Sequence, residues 1–570
     1  MKNIEVAELL NELADYLEFE EDSFRVRAYR KAALVIEGLS EDIEQVWKEN
    51  RLEDLPGVGE GISKKIDEFL KTGKLKYLAE LKKKTPVDME SLGRIEGIGP
   101  KTIIKLYKEL KIKTVANLEK AAKKGKIQKI SGLGPIVERN ILKSIEFARK
   151  TSERVPLGFA LTSAEEVVIA LKKLREVQKA SIAGSTRRMK ETIGDIDILA
   201  TSKVPEKVIN FFTKMPSVAD VLAKGPTKSS VRLKEGIRVD LRVLDDNIFG
   251  AALLYFTGNK EHNILLRRIA IEKRLKLSEY GLFDTKTNRL VAGKTEEEVY
   301  KKLGMDFIEP EMREDEGEIE LAQHHMLPKL IGYNDIKGDL QMHTKWSDGS
   351  NTIGEMALAA KKLGYGYICI TDHTGKLAIA NALDEKRIHE QKKEIDKVNK
   401  KIKGITVLQG VEVNITNDGS LDMPNRVLKQ LGIVVASIHS GFKNPKEKIT
   451  KRMITAMENE HVDIIAHPTG RLITKRESYD IDMDSVFDAA KKTNTVMEIN
   501  AYPERMDLRD SHVRAAVKSG VKLVISTDAH NKDQLHFMKL GIGTARRGWA
   551  TKNDIINTRN LKEMMRMLKH

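Results

Sequence analysis

Three aspartates in the middle of the chain have the spacing of a metal site. Asp195 and Asp197 are two residues apart in a strand-like run, so both carboxylates would point to one face of a sheet. Asp240 lies in a second strand-like run, residues 237–244. Carboxylate oxygens suit Mg²⁺, or Mn²⁺ in its place, and such ions share their ligands with substrate phosphates. We predict that these aspartates hold two ions for an in-line displacement at phosphorus.

The segment in front of these aspartates has residues that could hold phosphate. Gly184 and Ser185 follow a strand-like run and can offer a backbone N–H and a hydroxyl. The planar guanidinium of Arg188 can clamp phosphate oxygens. One isolated aspartate could be a surface strand residue, but the whole succession of groups is specific and favours a phosphoryl-transfer site.

A second set of candidate metal ligands lies after residue 335. It contains five histidines and three carboxylates, each near the end of an apolar run: His343, Asp348, His373, Glu412, His439, His467, Asp528 and His530. Mixed nitrogen and oxygen ligands favour Zn²⁺, Mn²⁺ or Fe²⁺ over Mg²⁺. Eight ligands are too many for one ion, so we predict a cluster of two or three ions that activates water against phosphate esters.

The elements that position these ligands can be inferred from the apolar pattern. After residue 335 the apolar runs are continuous and alternate with helical patterns, which indicates parallel strands buried on both faces. An α/β barrel closes such repeats and places active sites at the carboxyl ends of its strands. From about residue 150 to the acidic stretch 309–320, strands and helices alternate less regularly, which predicts an α/β or α+β unit.

The first 150 residues are predicted to be helical and carry a repeated glycine signal. An apolar residue between two glycines occurs three times, each time between helical patterns: Gly57 and Gly59, Gly97 and Gly99, Gly132 and Gly134. Such turns allow close approach, and the free N–H groups of the next helix suit a phosphate. This helix-hairpin-helix arrangement binds the DNA backbone without reading sequence. A turn that uses glycine for packing alone is the alternative for one copy.

Composition adds a partner and a compartment to these expectations. The 570 residues carry a net charge of +15, which fits a polyanionic partner, although a solvated lysine-rich surface would explain charge alone. The single cysteine, Cys369, excludes a disulfide within the chain and indicates a reducing compartment. No apolar run reaches the roughly 18 residues that a membrane span needs. We expect a cytoplasmic protein without a membrane partner.

The segment at residues 183–197 resembles the palm of family X (DNA polymerase beta-like) enzymes. The resemblance continues through residues 255–258, Asn263, Arg267 and residues 276–283. It implies that Asp195 and Asp197 bind both metals, while Asp240 ligates the catalytic metal and acts on the primer 3′-hydroxyl. The implied nucleotide-binding residues are Gly184, Ser185, Arg188, Gly194, Tyr255, Phe256, Gly258, Asn263 and Arg267.

The same resemblance implies a role for each part of the nucleotide pocket. Ser185 and Arg188 would hold the triphosphate. Tyr255 and Phe256 would line the sugar pocket, with Tyr255 disfavouring a ribose 2′-hydroxyl. Further along the chain, Asn263 would face the incoming base and Arg267 would approach the template. Asn259 stands where the family often has serine.

The N-terminal segment resembles the lyase domain of DNA polymerase beta. Residues 55–70 align without gaps and place Lys65 where that family keeps the Schiff-base lysine that removes a 5′-deoxyribose phosphate. A lysine does this chemistry when neighbouring cations or burial lower its pKa. Because Gly61 replaces an expected basic residue, Lys65 is either that nucleophile or only a 5′-phosphate ligand. Tyr29 and Lys31 match the same domain and are implied to help hold the DNA end.

The ligand set after residue 335 resembles the PHP (polymerase and histidinol phosphatase) domain. In bacterial and archaeal family X enzymes this domain follows the polymerase, which implies 3′–5′ exonuclease and abasic-site or 3′-end processing. The family usually begins with His-x-His, and Gln341 stands at the first of these positions. A glutamine oxygen is a weaker ligand than an imidazole. The alternative is therefore a polymerase whose PHP domain is catalytically weak, structural or DNA-docking.

Together these features predict a multidomain α+β protein that fills short gaps in DNA during base excision repair. Its substrates would be gapped or primed double-stranded DNA and deoxynucleoside triphosphates, and it would act as a monomer, associated with the nucleoid of a prokaryote. The expected units are a helical lyase-like domain (1–85), helix-hairpin-helix fingers (86–150), a nucleotidyltransferase palm (151–245), a thumb (246–308), a solvated acidic linker (309–334) and a distorted TIM-like PHP barrel (335–570).

Overall fold

The computed structural model of the chain describes residues 2–20, 22–37, 43–93, 95, 98–135, 137–139, 141–142, 144–145, 154–375 and 381–569. The expected boundary at residue 150 and the predicted DNA-binding residue Gly97 lie outside these ranges. Within them, no helix combines the length and the apolar character that a bilayer crossing requires.

The N-terminal part is helical, as predicted. Its apolar residues recur at helical spacing, and those of α1, including Leu10, Leu13 and Leu17, are fully buried in one core with Ile66. The helices are α1 (Lys2–Phe19), α2 (Ser23–Glu37), α3 (Ile43–Lys48), α4 (Glu60–Thr72), α5 (Lys76–Lys84), α6 (Met89–Gly93), α7 (Pro100–Leu110) and α8 (Val115–Lys123).

The palm, residues 154–245, is a five-stranded sheet with helices packed on it. The strand order is β2-β4-β7-β6-β5, in which β4 and β7 are parallel neighbours. A two-stranded ladder, β1 with β3, lies beside it. The elements are β1 (Val155–Pro156), α9 (Leu157–Lys172), β2 (Lys179–Ile182), α10 (Gly184–Arg187), β3 (Thr192–Ile193), β4 (Asp195–Thr201), α11 (Pro205–Phe212), β5 (Val218–Lys224), β6 (Lys228–Leu233) and β7 (Arg238–Leu244).

The thumb, residues 246–308, combines helices with a three-stranded antiparallel sheet of order β10-β9-β8. Its core includes Leu266 and Tyr300, and it also contains Trp549 from the far end of the chain. The elements are α12 (Phe249–Thr257), α13 (Lys260–Glu272), β8 (Leu275–Ser278), β9 (Gly281–Asp284), β10 (Leu290–Ala292) and α14 (Glu296–Lys302).

The acidic stretch after the thumb differs from the solvated linker that its charge predicts. Glu311, Arg313 and Glu318 are buried, and Glu318 begins the short helix α15 (Glu318–Gln323). Each buried charge has a partner: Arg546 for Glu311, Glu296 for Arg313 and His262 for Glu318. Charged side chains can be buried when each has a partner of this kind. The stretch therefore packs between the thumb and the barrel.

The barrel, residues 335–569, is a seven-stranded parallel sheet in sequential order, as the apolar runs predict. A bridge between Met342 and Ala529 joins its first and last strand ends and nearly closes it. The strands are β11 (Gly338–Asp339), β12 (Tyr367–Ile370), β13 (Thr406–Asn414), β14 (Ile433–Ser437), β15 (Ile464–Ile465), β16 (Val496–Asn500) and β17 (Leu523–Ser526). The helices are α16 (Ile353–Lys362), α17 (Glu385–Lys401), α18 (Asn425–Leu428), α19 (Lys446–Met457), α20 (Met483–Thr493), α21 (Asp510–Ser519), α22 (Met538–Arg547) and α23 (Leu561–Met565).

Helix α22 of the barrel packs directly against the palm. Leu540 belongs to the apolar core of the palm. An added Cβ at Gly543 would lie 2.5 Å from Met189 Cε of the palm, so a larger residue would force Met189 to shift. The polymerase-like part and the barrel therefore share one interface in which side chains interlock.

Candidate functional site

The three predicted aspartates of the palm lie together at one edge of its sheet. Asp195 and Asp197 alternate along β4, and Asp197 stands directly opposite Asp240 in the parallel register with β7. Asp240 is 9% exposed, whereas Asp195 at the beginning of the strand is exposed. The alternation of a strand thus gathers three carboxylates on one face.

The electrostatics of this cluster favour a bound cation. Burial raises the pKa of Asp197 to about 7, and the neighbouring charges of Asp195 and Asp240 add to that shift. Burial also opposes ionisation of Asp240, but hydrogen bonds from Arg238 and Ser230 outweigh it and lower its pKa. The Arg238 guanidinium is bidentate, with Nε 2.9 Å from Oδ1 and Nη2 2.8 Å from Oδ2. Carboxylates that repel one another in this way fit a divalent ion.

The glycine before the phosphate-binding segment is required by both space and backbone. Gly184 has φ of 62°, and an added Cβ would collide with the carboxylate of Asp197. Only glycine tolerates both conditions. The turn therefore brings Ser185, in the short helix α10, next to the aspartate cluster. Gly194 directly precedes Asp195, and an added Cβ at Gly194 would be 3.2 Å from Arg154 Nη1.

Arg188 joins the palm to the thumb and to the acidic stretch. Its Nε donates to Glu314 Oε1 at 3.0 Å, and its Nη1 donates to the carbonyl oxygen of Thr257. Gly258 follows directly, and an added Cβ there would be 3.2 Å from Arg188 Nη1. The structure thus brings the predicted residues Arg188 and Gly258 into contact and adds Glu314, which the sequence pattern did not single out.

The remaining pocket residues also lie together. The rings of Tyr255 and Phe256 meet edge to face with centroids 5.1 Å apart, and Arg242 lies over Phe256. Asn263 Nδ2 donates to the Tyr255 carbonyl at 2.7 Å, and Arg267 Nε donates to the Asn263 carbonyl at 3.2 Å. Tyr255, Asn263 and Arg267 line one small cavity beside β8.

In the N-terminal part, Lys65 lies beside two aromatic rings. Its Nζ is 5.9 Å from the ring centre of Tyr29 and 5.1 Å from that of Tyr77. Tyr77 was not predicted, and its Oη accepts a hydrogen bond from Arg25 Nη1 at 2.7 Å. The predicted pair Tyr29 and Lys65 is therefore close, on a surface that carries further cationic and aromatic groups.

The predicted glycine turns differ in how crowded they are. Gly57 and Gly132 have positive φ values of 88° and 80°. The aliphatic chain of Lys31 lies against Gly57, 3.2 Å from the position of an added Cβ. In contrast, Gly59, Gly99 and Gly134 have no atom within 4 Å of that position, so their surroundings are open.

Glu412 is the centre of the ligand cluster in the barrel. It lies in β13 and is 1% exposed. Its Oε1 is 3.1 Å from His467 Nε2 and 3.3 Å from His439 Nε2. Its Oε2 is 3.3 Å from His343 Nε2 and 3.5 Å from His373 Nδ1. One carboxylate thus contacts four imidazoles that come from different strand ends.

Three overlapping groups in this cluster have the geometry to hold metal ions. The groups are His343, Asp348, His373 and His530; His373, Glu412 and His439; and His343, Glu412 and Asp528. Shared members place the three positions next to one another. The Nδ1 atoms of His343, His373 and His467 are buried without a hydrogen-bond partner. Buried polar atoms are normally satisfied, so this donor set fits a cluster of metal ions.

Two further predicted ligands of the barrel contact Glu412 beside these groups of histidines and carboxylates. Gln341 is buried, and its Nε2 donates to Glu412 Oε2 at 3.1 Å while its Oε1 has no hydrogen-bond partner. His467 contacts Glu412 through Nε2, and its backbone N–H donates to Glu498 Oε2 at 2.8 Å. In this structure Gln341 therefore orients the central carboxylate.

Sequence reasoning missed the residues that support these ligands. Asp372 accepts hydrogen bonds from the backbone N–H of Thr344 and from the side chains of Ser347 and Gln391. Buried Asp339 likewise accepts from Thr527. Asp339 and Asp372 lie within two residues of a predicted ligand at a strand end. That position could have identified them, since supporting groups of this kind orient metal ligands.

Comparison with known sequences adds family matches along most of the chain. Residues 1–75 match a helix-hairpin-helix domain, and residues 89–146 match a SAM-like helix-hairpin-helix tandem. Residues 252–314 match the DNA polymerase beta thumb, and residues 339–502 match the PHP domain. The matched thumb includes Glu314, so it reaches into the acidic stretch.

Relatives extend these matches to the full length. A DNA polymerase/3′-5′ exonuclease PolX of Bacillus subtilis (strain 168) is 41% identical over 572 residues, covering 100% of both chains. A probable phosphatase of Thermoanaerobacter sp. (strain X514) is 33% identical over 235 residues, 39% of this chain and 89% of its own. A probable phosphatase of Caldanaerobacter subterraneus is 34% identical over 203 residues, 34% of this chain and 75% of its own. The chain therefore belongs to the bacterial PolX family, the family X DNA polymerases with a C-terminal PHP domain.

Proposed function

We propose that this chain extends DNA primers on a template by nucleotidyl transfer in the palm and removes nucleotides from 3′ ends in the barrel. The observation that carries the proposal is the convergence of Asp195, Asp197 and Asp240 in a chain that aligns from end to end with a DNA polymerase/3′-5′ exonuclease. Gapped or primed duplex DNA and deoxynucleoside triphosphates are the proposed substrates, and short-gap filling in base excision repair is the proposed role.

In the palm, each residue has a distinct task in this proposal. Asp195 and Asp197 hold the metal ions, and Asp240 faces the primer 3′-hydroxyl. Magnesium bound there would stabilise the attacking and leaving oxygens of the displacement. Ser185 and Arg188 hold the triphosphate, which a planar guanidinium does with paired hydrogen bonds.

The neighbouring rings and amides complete the nucleotide site. Tyr255 and Phe256 line the sugar, and the bulk of Tyr255 excludes a 2′-hydroxyl. Asn263 is held by the Tyr255 carbonyl and Arg267 by the Asn263 carbonyl. These contacts link the groups that meet the sugar, the base and the template.

In the barrel, the buried ligands favour phosphodiester hydrolysis. Metal ions held by the three groups around Glu412 would polarise the phosphodiester and activate the attacking water. Arg505 lies beside the cluster, with Nε 3.3 Å from Asp528 Oδ2, and can contact a phosphate at the 3′ end. A barrel that only docks DNA remains the alternative because Gln341 replaces an imidazole.

Lys65 has two candidate roles at the 5′ end of a gap. Its position beside Tyr29 and Tyr77 suits either a 5′-phosphate ligand or a Schiff-base nucleophile. Borohydride trapping on DNA with a 5′-deoxyribose phosphate separates the two. If the wild type is trapped and both Lys65→Ala and Lys65→Arg are not, Lys65 is the lyase nucleophile. If the wild type is not trapped and Lys65→Arg keeps the affinity for a 5′-phosphate, Lys65 only binds the phosphate.

A crossed experiment tests the two main activities. Gap filling with Mg²⁺ and 3′ nucleotide release with Mn²⁺ are measured for the wild type, Asp240→Asn and Asp528→Asn. We expect Asp240→Asn to lose gap filling only and Asp528→Asn to lose release only. Gap filling that persists in Asp240→Asn would overturn the palm assignment. Gap filling without release in the wild type would favour the DNA-docking barrel.

A further inference from the structure

Glu314 occupies a junction of the palm, the thumb and the barrel. Its Oε1 is 3.0 Å from Arg188 Nε of the palm and 2.9 Å from Arg547 Nη1 of the barrel. Its Oε2 is 3.3 Å from Lys190 Nζ and 3.4 Å from Asn259 Nδ2 of the thumb. One carboxylate therefore holds three cations that belong to two different domains.

The contacts of Arg188 leave one edge of its guanidinium open. Glu314 takes the Nε hydrogen, and the Thr257 carbonyl takes one hydrogen of Nη1. Among the described residues, no hydrogen bond from Nη2 is found, and Nη2 is not among the buried unsatisfied atoms. An arginine fixed at its inner edge presents its outer N–H groups in a set direction.

Arg547 of the barrel supports the contact between Glu314 and Arg188. It is 7% exposed at the end of α22, and its Nε and Nη2 lie 2.8 Å and 2.6 Å from Asp510 Oδ2. Its Nη1 donates both to Glu314 and, at 2.9 Å, to the backbone carbonyl of Arg188. The barrel therefore holds the backbone of Arg188 directly and its side chain through Glu314.

Glu314 is ionised in this environment. Burial opposes its ionisation, but the charges of Arg547, Arg188 and Lys190 outweigh burial and lower its pKa. A half-buried carboxylate with several cationic partners makes charge-assisted hydrogen bonds, which are stronger and more directional than neutral ones.

We propose that Glu314 is a positioning residue of the nucleotide site and that Arg547 makes the barrel a working part of that site. The inference rests on the proposed function, in which Arg188 binds the triphosphate. Glu314 and Thr257 hold the inner edge of Arg188 while its outer edge meets the phosphates. Without Glu314 the guanidinium must be ordered when the nucleotide binds, which weakens binding.

The experiment measures single-nucleotide gap filling by the full chain with Mg²⁺ and varied nucleotide concentration. In Glu314→Gln we expect the KM for the nucleotide to rise about tenfold, the effect of weakening one charge-assisted hydrogen bond. We expect kcat and the KM for DNA to stay within about twofold, because the aspartates are untouched. Arg547→Lys keeps the positive charge but cannot contact Asp510, Glu314 and the Arg188 carbonyl at once. It should therefore raise the KM for the nucleotide by a smaller factor.

Glu191→Gln is the matched control. Glu191 also lies in the palm and pairs with a barrel arginine, Arg471, at 2.7 Å, but it does not contact Arg188. The nucleotide KM of this variant should equal that of the wild type. Thermal unfolding and barrel nuclease activity, measured on the same preparations, show that each variant is folded.

Three outcomes would overturn the inference. Equal nucleotide KM values in Glu314→Gln and Glu191→Gln would mean that Glu314 does not orient Arg188. A lower KM in Glu314→Gln would mean that the carboxylate competes with the triphosphate. A parallel fall in kcat, DNA affinity and melting temperature would indicate a purely structural role. A wild type that incorporates no nucleotide would instead refute the proposed function itself.

Discussion

The palm and the barrel both bring carboxylates together, but they do so in opposite environments. In the palm, Asp195, Asp197 and Asp240 face one another at an open sheet edge, and burial together with like charges raises the pKa of Asp197 to about 7. In the barrel, burial opposes ionisation of Glu412, but four surrounding imidazoles outweigh it and hold its pKa well below the ordinary value. The charge of Asp197 in the palm is therefore uncompensated, whereas the charge of Glu412 in the barrel is compensated.

This difference indicates how each site acquires its ions. Three carboxylate ligands leave about half of the octahedral coordination shell of Mg²⁺ to water and to substrate phosphates, so ions in the palm would be able to arrive with the nucleotide. The barrel would hold ions with imidazoles and carboxylates that further buried residues keep in place. We therefore expect resident ions in the barrel and exchangeable ions in the palm.

The largest effect is expected from Glu412→Gln in the barrel. Removing the charge that four imidazoles share should release the metal ions, reduce 3′ nucleotide release by about 10³-fold and lower the free energy of unfolding by about 3–5 kcal/mol. Metal content after dialysis, nuclease rate and urea unfolding measure these effects. Exposed Glu390 of α17 provides the control Glu390→Gln. Unchanged metal content in Glu412→Gln would contradict the assignment of Glu412 as the central ligand.

The two clusters of candidate ligands could be located from the sequence because their signals are local. Strand alternation alone puts Asp195 and Asp197 on one face, and Asp240 was predicted from its place in a second strand-like run. In the barrel, each histidine follows its own apolar run, and parallel strands bring those run ends to one edge. Local periodicity therefore gave both the elements and the positions of the ligands on them.

The acidic stretch shows what local pattern cannot give. Its charges were expected to be solvated because residues 309–320 contain seven carboxylates and only one arginine, Arg313. The partners of Glu311, Glu314 and Glu318 are Arg546, Arg547 and His262, which lie far away in sequence. Burial of these charges depends on tertiary pairing, so the packed junction and the role of Glu314 required the structure.

The second prediction concerns the pH dependence of the metal-free palm. The pKa of Asp197 is raised to about 7 in the folded protein. Between about pH 4 and 7 the folded state therefore keeps a proton that the unfolded chain has lost, and stability falls as pH rises through that window. With a chelator at pH 8, Asp197→Asn should be more stable than the wild type by roughly 2 kcal/mol, since water screens part of the repulsion. Chemical unfolding at pH 5 and pH 8 measures the difference.

Exposed Asp220 in β5 of the same sheet supplies the control for this prediction. Asp220→Asn should follow the pH dependence of the wild type, because Asp220 lies outside the aspartate cluster. If Asp197→Asn loses stability with rising pH as steeply as the wild type does, ionisation of buried Asp197 is not the cause.

The third prediction tests whether one further imidazole strengthens the barrel. Gln341→His should increase metal retention against a graded chelator by about tenfold, because an imidazole nitrogen is a better ligand than an amide oxygen. Gln341→Met removes both the amide oxygen and the hydrogen bond to Glu412 and serves as the comparison. Weaker retention in Gln341→His than in the wild type would show that the hydrogen bond to Glu412 contributes more than a further ligand.

The smallest effect is expected from Arg238→Gln in the palm. Arg238 binds both oxygens of Asp240 and is partly exposed, so its ion pair competes with a metal ion only modestly. Its removal should lower the Mg²⁺ concentration for half-maximal gap filling by about threefold, since surface pairs contribute at most about 1 kcal/mol. Arg232 lies opposite Arg238 on β6, and Arg232→Gln removes the same charge without a contact to Asp240. A higher Mg²⁺ requirement in Arg238→Gln would mean that the arginine orients Asp240 for ligation, and the palm would then support its ligands as the barrel does.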